Sequence, residues 1–125
     1  MDKLEYIPGD LVTNKYYTKV LIVIKTVKNM VYTRNRDAFS ETYLSHKDDV
    51  VPMLLTPEIL EKNGWKSING KYALKIKNAN YVVLEFTEDG IYTYINEKNM
   101  LFTIKYIHEL QHLLFGLGIK HEMEV

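Results

Sequence analysis

The 125-residue chain carries 16 basic and 16 acidic side chains, for a formal net charge of zero, and 46% of it is hydrophobic. The charge balance excludes the broad positive footprint of a duplex-nucleic-acid binder, and the hydrophobic share excludes a disordered chain. With no cysteine, disulfide frameworks, thiolate nucleophiles and cysteine-ligated zinc are excluded as well.

The opening Met-Asp-Lys-Leu-Glu lacks the charged and then apolar pattern of a secretory signal. The longest apolar run, Val20 to Ile24, is far short of a membrane span. Ten tyrosines against one tryptophan fit a chain rich in strands. The length fits one domain or two small subdomains, and the pattern divides into residues 1–55 and 56–125, expected to pack as one compact unit.

Pro8 and Gly9 punctuate the approach to a short strand at Leu11-Val12. The β-branched run Lys19 to Val27 predicts a strand buried on both faces or nearly so. Lys28-Asn29 turns, and Met30 to Arg34 returns as the second arm of a hairpin. Further arms are predicted at Glu41 to Ser45 and Val50 to Leu55. Short strands spaced by roughly 8–12 residues predict a small β-barrel. Exposed aromatic and basic groups of such a barrel would be Arg34 and Arg36, with Tyr16, Tyr17 and Tyr32 nearby in sequence.

Leu55 to Trp65 is the strongest local signal. Thr56 can cap, Pro57 fits the first helical position, Glu58 complements the positive end of the helix dipole, and Gly64 can end the helix in a left-handed turn. Ile59 and Leu60 then face a core. Trp65 closes the helix exit and is a candidate stacking residue for a ligand. Three alternating runs follow, Lys71 to Ile76, Tyr81 to Thr87 and Ile91 to Ile95, with a short extended piece at Met100 to Thr103, and they read as a β-meander.

Ile104 to Gly118 is the longest helical pattern. Ile104, Ile107, Leu110, Leu113, Leu114 and Leu117 fall on one arc, with Lys105, Glu109 and His112 opposite and His108 at the edge of the polar sector. His108, Glu109 and His112 spell H-E-x-x-H, which can hold zinc between two imidazoles one turn apart with the glutamate as general base. A third ligand would have to come from His121, Glu122 or Glu124. The extended metalloprotease form is absent, since Phe115 stands where its glycine would be. The periodicity places both histidines on a solvated rim. The tail alternates Ile119, His121, Met123 and Val125 against Lys120, Glu122 and Glu124, which predicts an edge strand.

Two resemblances bear on these readings. The Pro8-Gly9-Asp10 opening, Val12 and the valine-rich hairpin around Asn29 resemble small SH3-like barrels of the KOW type, whose members are binding modules for proteins or RNA. The Leu55 to Trp65 helix, followed by Ile104 to Phe115, resembles a family of small proteins of gut Bacteroidales and their phages and prophages. That resemblance implies a mobile-element accessory protein, cytoplasmic in the host cell or associated with the virion. Proteins of this type often carry Gln in place of Glu109 and Asn in place of His112, so it also implies that H-E-x-x-H is incidental.

The expected fold is therefore α+β. An SH3-like β-barrel is followed by a helix, a meander and an amphipathic C-terminal helix with a short edge strand. The expected function is a non-catalytic protein-binding or assembly module without a cofactor, its partner another protein or a second copy. Two alternatives stay open: a zinc-dependent hydrolase built on His108, Glu109 and His112, and an RNA-binding barrel built on Tyr16, Tyr17, Arg34 and Arg36.

Overall fold

The computed structural model describes residues 6–96 and 99–125, leaving the side chains of Tyr17, Thr18 and Asn99 outside the described set. The chain is mixed α+β and divides into two compact units, Met1–Met53 and Leu54–Val125. Each unit is built on a five-stranded antiparallel sheet. Among the described residues, no helix is long and apolar enough to cross a membrane.

In the first unit the strands are β1 (Leu11–Asn14), β2 (Tyr17–Val27), β3 (Met30–Asn35), β4 (Ala38–His46) and β5 (Val50–Pro52). Their order in the sheet is β4-β3-β2-β1-β5. A 3-10 turn at Lys47–Asp49 joins β4 to β5, with His46 Nδ1 accepting from the Asp48 amide at 3.1 Å. No ladder joins β4 to β5 among the described residues, so the hydrogen bonding does not close a barrel.

The Pro8-Gly9 turn is pinned to β2, since the Gly9 amide donates to the Val23 carbonyl and the Val23 amide to the Asp10 carbonyl, both at 2.9 Å. Gly9 takes φ +95°, a left-handed conformation that a side chain would disfavour. Val12, Leu21, Val23, Val31 and Val50 form the core of this unit, with Tyr6 and Tyr43 packed against it. The β2 run is not buried on both faces as its composition predicts. Leu21 and Val23 point inward, but Ile24 and Val27 are exposed. A bulge between Val23 and Lys25 turns the later part of the strand toward solvent.

A polar cluster ties the neighbouring strands β2, β3 and β4 together. The Glu41 carboxylate accepts from Lys19 Nζ at 2.8 Å, from Asn35 Nδ2 at 2.7 Å and from the Tyr43 hydroxyl. The Lys19 ammonium, with Tyr43 and Asn35, holds the Glu41 pKa down to about 2, from the usual 4.5. A depressed carboxylate adds stability that is complete above its unfolded pKa and lost as pH falls through its folded one. Acid titration followed by circular dichroism should therefore show the first unit weakening between pH 4.5 and about 2. Glu41→Gln should flatten that part of the profile, and an unchanged profile in the variant would refute this role for Glu41.

The second unit begins with α1 (Pro57–Lys62), capped by Thr56, whose hydroxyl accepts from the Ile59 amide at 3.4 Å. Pro57 occupies the first turn, and Gly64 beyond the C-cap takes φ +87°, as the local sequence predicts. The sheet follows as β6 (Lys66–Ile68), β7 (Lys71–Lys75), β8 (Tyr81–Thr87), β9 (Gly90–Ile95) and β10 (Asn99–Ile104), ordered β10-β9-β8-β7-β6. The meander thus gains a strand, β6, that the sequence pattern does not predict. Val82, Leu84 and Ile91 are buried in it.

The last helix, α2 (Ile107–Gly116), starts three residues later than its apolar periodicity predicts, because Ile104 belongs to β10. Its buried side chains are Ile107, His108, Leu110, Gln111, Leu113 and Leu114, a wider arc than the leucine stripe alone. The tail beyond Gly118 is a further correction, since it joins no strand ladder. Asn63 replaces a neighbouring strand: its Nδ2 donates to the Glu124 carbonyl and its Oδ1 accepts from the Glu124 amide, both at 2.8 Å. Gln111 Nε2 donates to the His121 carbonyl at 3.0 Å. The tail keeps its predicted alternation of half-buried and exposed residues, but side-chain amides hold it in place of a backbone ladder.

Candidate functional site

The H-E-x-x-H residues occupy the first turns of α2. His108 is 0% exposed, which overturns its expected place on a solvated rim. Its ring stacks against Tyr106 with centroids 5.9 Å apart and meets His112 edge to face at 5.5 Å. The buried flank extends beyond the leucine stripe to Gln111, which the C-terminal tail engages through the His121 carbonyl.

The two imidazoles therefore do come together, but Glu109 turns away from their chemistry. Its Oε1 accepts from the Tyr106 amide at 2.9 Å and from the Lys105 amide at 2.6 Å. A carboxylate at this position satisfies amides that have no partner within the helix and lies at the positive end of the helix dipole. Of the candidate third ligands, His121 packs its ring on Phe115 with centroids 5.0 Å apart, and Glu122 and Glu124 are exposed. Among the described residues, no three His, Cys, Asp or Glu side chains are grouped so that they could hold one ion.

The aromatic and basic residues singled out in the first half are dispersed. Tyr16 stands exposed in the β1–β2 turn with Lys15 Nζ 5.4 Å from its ring centroid. The side chain of Tyr17 lies outside the described residues. Arg36 is in the β3–β4 turn, where it pairs with Asp37 at 3.0 Å and holds that carboxyl below its usual range. Trp65, in the second unit, is 4% exposed, so its ring belongs to the core and offers no stacking surface. Tyr32 and Arg34 lie together on a sheet face built from several strands.

That face is the solvent side of β2, β3 and β4. On β3, Val31, Thr33 and Asn35 are buried, so Tyr32 and Arg34 point the other way. Tyr32 pairs with Lys25 on β2 and with Leu44 on β4, and Arg34 pairs with Ile22 and Thr42. Phe39, 72% exposed, carries the Arg34 guanidinium over its ring at 4.1 Å, while Lys25 Nζ sits 5.0 Å from the Tyr32 centroid. Leu44 is 54% exposed, and Ile24 stands out at the bulge.

Comparison with protein-family models, curated proteins and solved structures gave no match. Lys25, Phe39 and Leu44 escape a reading of the sequence because their convergence depends on strand register. Phe39 precedes the predicted start of its strand, and Lys25 reaches this face only through the bulge.

One face of the meander in the second unit holds a concavity of about 310 Å³, lined by Ile68, Lys71, Ala73, Tyr81, Val83 and Asn96. Ala73 is the short side chain among these taller ones, opposite Val83 in the register. The polar atoms of Asn96 are already engaged: its Oδ1 accepts from the Tyr81 amide and its Nδ2 donates to Asn80 Oδ1, each at 2.7 Å. The concavity is thus mainly apolar, with Lys71 as its charged member.

Proposed function

We propose that the protein is a non-catalytic protein-binding module whose first unit is an SH3-like small barrel left open between β4 and β5. The strand order β4-β3-β2-β1-β5 and the 3-10 turn before the last strand support the barrel reading. On the sequence resemblance, it serves as an accessory protein of a Bacteroidales phage or related mobile element, in the host cytoplasm or in the virion. The H-E-x-x-H motif is structural in this reading, with Glu109 capping α2 and His108 packed inside.

One observation carries the binding role: Ile24, Tyr32, Phe39 and Leu44 stand exposed on one face of a single sheet. Isolated exposed hydrophobics are ordinary, whereas several on one continuous face mark an interaction surface. Aromatic rings braced by cations also lose little conformational freedom on binding, which favours them as anchors.

The test compares the protein with the double variant Phe39→Ser, Leu44→Ser in two assays. One is retention of proteins from a Bacteroidales extract on immobilised protein; the other is concentration-dependent sedimentation of the purified chain, which reports pairing with a second copy. Both substitutions fall on exposed side chains and should leave the fold intact. Loss of a retained protein or of self-association in the variant supports the reading. Identical behaviour of the two proteins in both assays rejects it.

A further inference from the structure

We infer that the solvent face of β2–β4 takes an acidic, apolar-rich segment of a protein partner, its carboxylates on Lys25 and Arg34 and its apolar side chains on Tyr32, Phe39 and Leu44. This inference rests on the binding role proposed above and names the chemistry of the partner.

The charge on this face is one-sided. β2 and β3 contain no aspartate or glutamate, and β4 contains only Glu41. That carboxylate is turned to the opposite side, where Lys19 and Asn35 engage it. Asp37, in the adjoining turn, is held by Arg36 through bonds of 3.0 and 3.2 Å. Among the described residues, neither Lys25 nor Arg34 forms an ion pair. Asp48, in the turn after β4, lies 3.4 Å from His46 Nδ1 at the edge of the face. The strands themselves therefore present two cations and no carboxylate on this face, in a chain whose formal charge is zero.

These cations are already positioned. Each is held over an aromatic ring, which fixes a long side chain that would otherwise lose its freedom on binding. Arg34 Nη1 is shielded from solvent and makes no hydrogen bond. A planar guanidinium accommodates a carboxylate through two parallel bonds, so an arriving acid would supply the missing acceptor.

The engaged aromatic faces favour a protein partner over single-stranded RNA. Stacked bases need free aromatic faces, and here both rings already have a cation over one face. Ile24 and Leu44 are branched aliphatic groups that suit an apolar side chain better than a base. The combination fits alternating acidic and apolar residues.

The experiment is an amide-resolved NMR titration of the full chain with three probes: a blocked peptide alternating glutamate with leucine, the same peptide with lysine replacing glutamate, and an oligouridylate. The expected result is that the acidic peptide shifts the amides of Lys25, Tyr32, Arg34, Phe39 and Leu44, while the lysine peptide does not. In the double variant Lys25→Gln, Arg34→Gln, affinity for the acidic peptide should fall about fivefold to tenfold and its salt dependence should flatten, as expected for two partly exposed ion pairs. Both variant side chains stay polar on a solvent face, and an unchanged spectrum outside the patch checks the fold.

Equal or tighter binding of the lysine peptide or the oligouridylate at this face overturns the assignment, as does an acidic peptide that shifts other residues or none. If the acidic peptide fails while Phe39→Ser, Leu44→Ser still abolishes protein binding, only the chemical class of the partner is wrong. If neither experiment involves this face, the binding role falls with it.

Discussion

Gly90→Ala is expected to destabilise the second unit by about 3 kcal/mol, from a strained left-sided φ and an overpacked contact acting together. Gly90 opens β9 at φ +128°, where L side chains rarely sit. An added methyl would stand 2.7 Å from Thr103 Cγ2 and 3.2 Å from the Ile104 carbonyl oxygen, both on the neighbouring strand β10. The side-chain methyl can rotate away, but the carbonyl belongs to the backbone of β10. Relief therefore means moving the β9–β10 pairing.

Gly64→Ala provides the comparison. It also has a positive φ, +87°, but nothing lies within 4 Å of the added methyl. Only the backbone term remains, about 1–2 kcal/mol. Urea denaturation of both variants measures the difference. Equal losses would show that crowding at the β9–β10 pairing is unimportant.

Asn63→Ala should cost about 1–2 kcal/mol, the scale of two or three partly exposed hydrogen bonds, and should free the C-terminal tail. Besides its paired bonds to Glu124, the Asn63 amide donates to the Ile59 carbonyl at 2.7 Å and so also closes the end of α1. Hydrogen exchange at the Glu124 amide should accelerate markedly in the variant, and proteolysis should begin within residues 119–125. Asn63→Asp is the sharper form of the test. It keeps an acceptor for the Glu124 amide but loses the donor to the Glu124 and Ile59 carbonyls, so protection of the tail should fall to an intermediate level. A tail equally protected in all three proteins would show that packing, not Asn63, holds it.

Glu109 and His108 show what the spacing of a motif leaves open. The spacing of H-E-x-x-H brings two imidazoles to one side of a helix, and the structure does so at 5.5 Å. What the spacing does not encode is where the helix begins. Because α2 starts at Ile107, Glu109 falls in its first turn, within reach of the Tyr106 and Lys105 amides. Had the helix begun at Ile104, the same residue would lie well inside it and be open to other roles.

The local elements follow from short-range chemistry in the sequence. Thr56, Pro57 and Gly64 set the bounds of α1, the hairpin about Lys28-Asn29 joins two β-branched runs, and the three alternating segments from Lys71 to Ile95 become β7, β8 and β9. Each of these depends on neighbours within a few residues, through capping, turn geometry or period-two alternation.

Tertiary structure decided what depends on partners distant in the chain. The bulge in β2 chose which residues of an apolar run face water, and the register of β2, β3 and β4 gathered Lys25, Arg34, Phe39 and Leu44 onto one face. The pairing of Asn63 with Glu124, 61 residues apart, turned a predicted edge strand into a tail held by side chains. Alternation along a segment records that one side will be covered, but it does not specify whether a strand, a side-chain amide or a helix flank covers it. That choice is made when the elements meet.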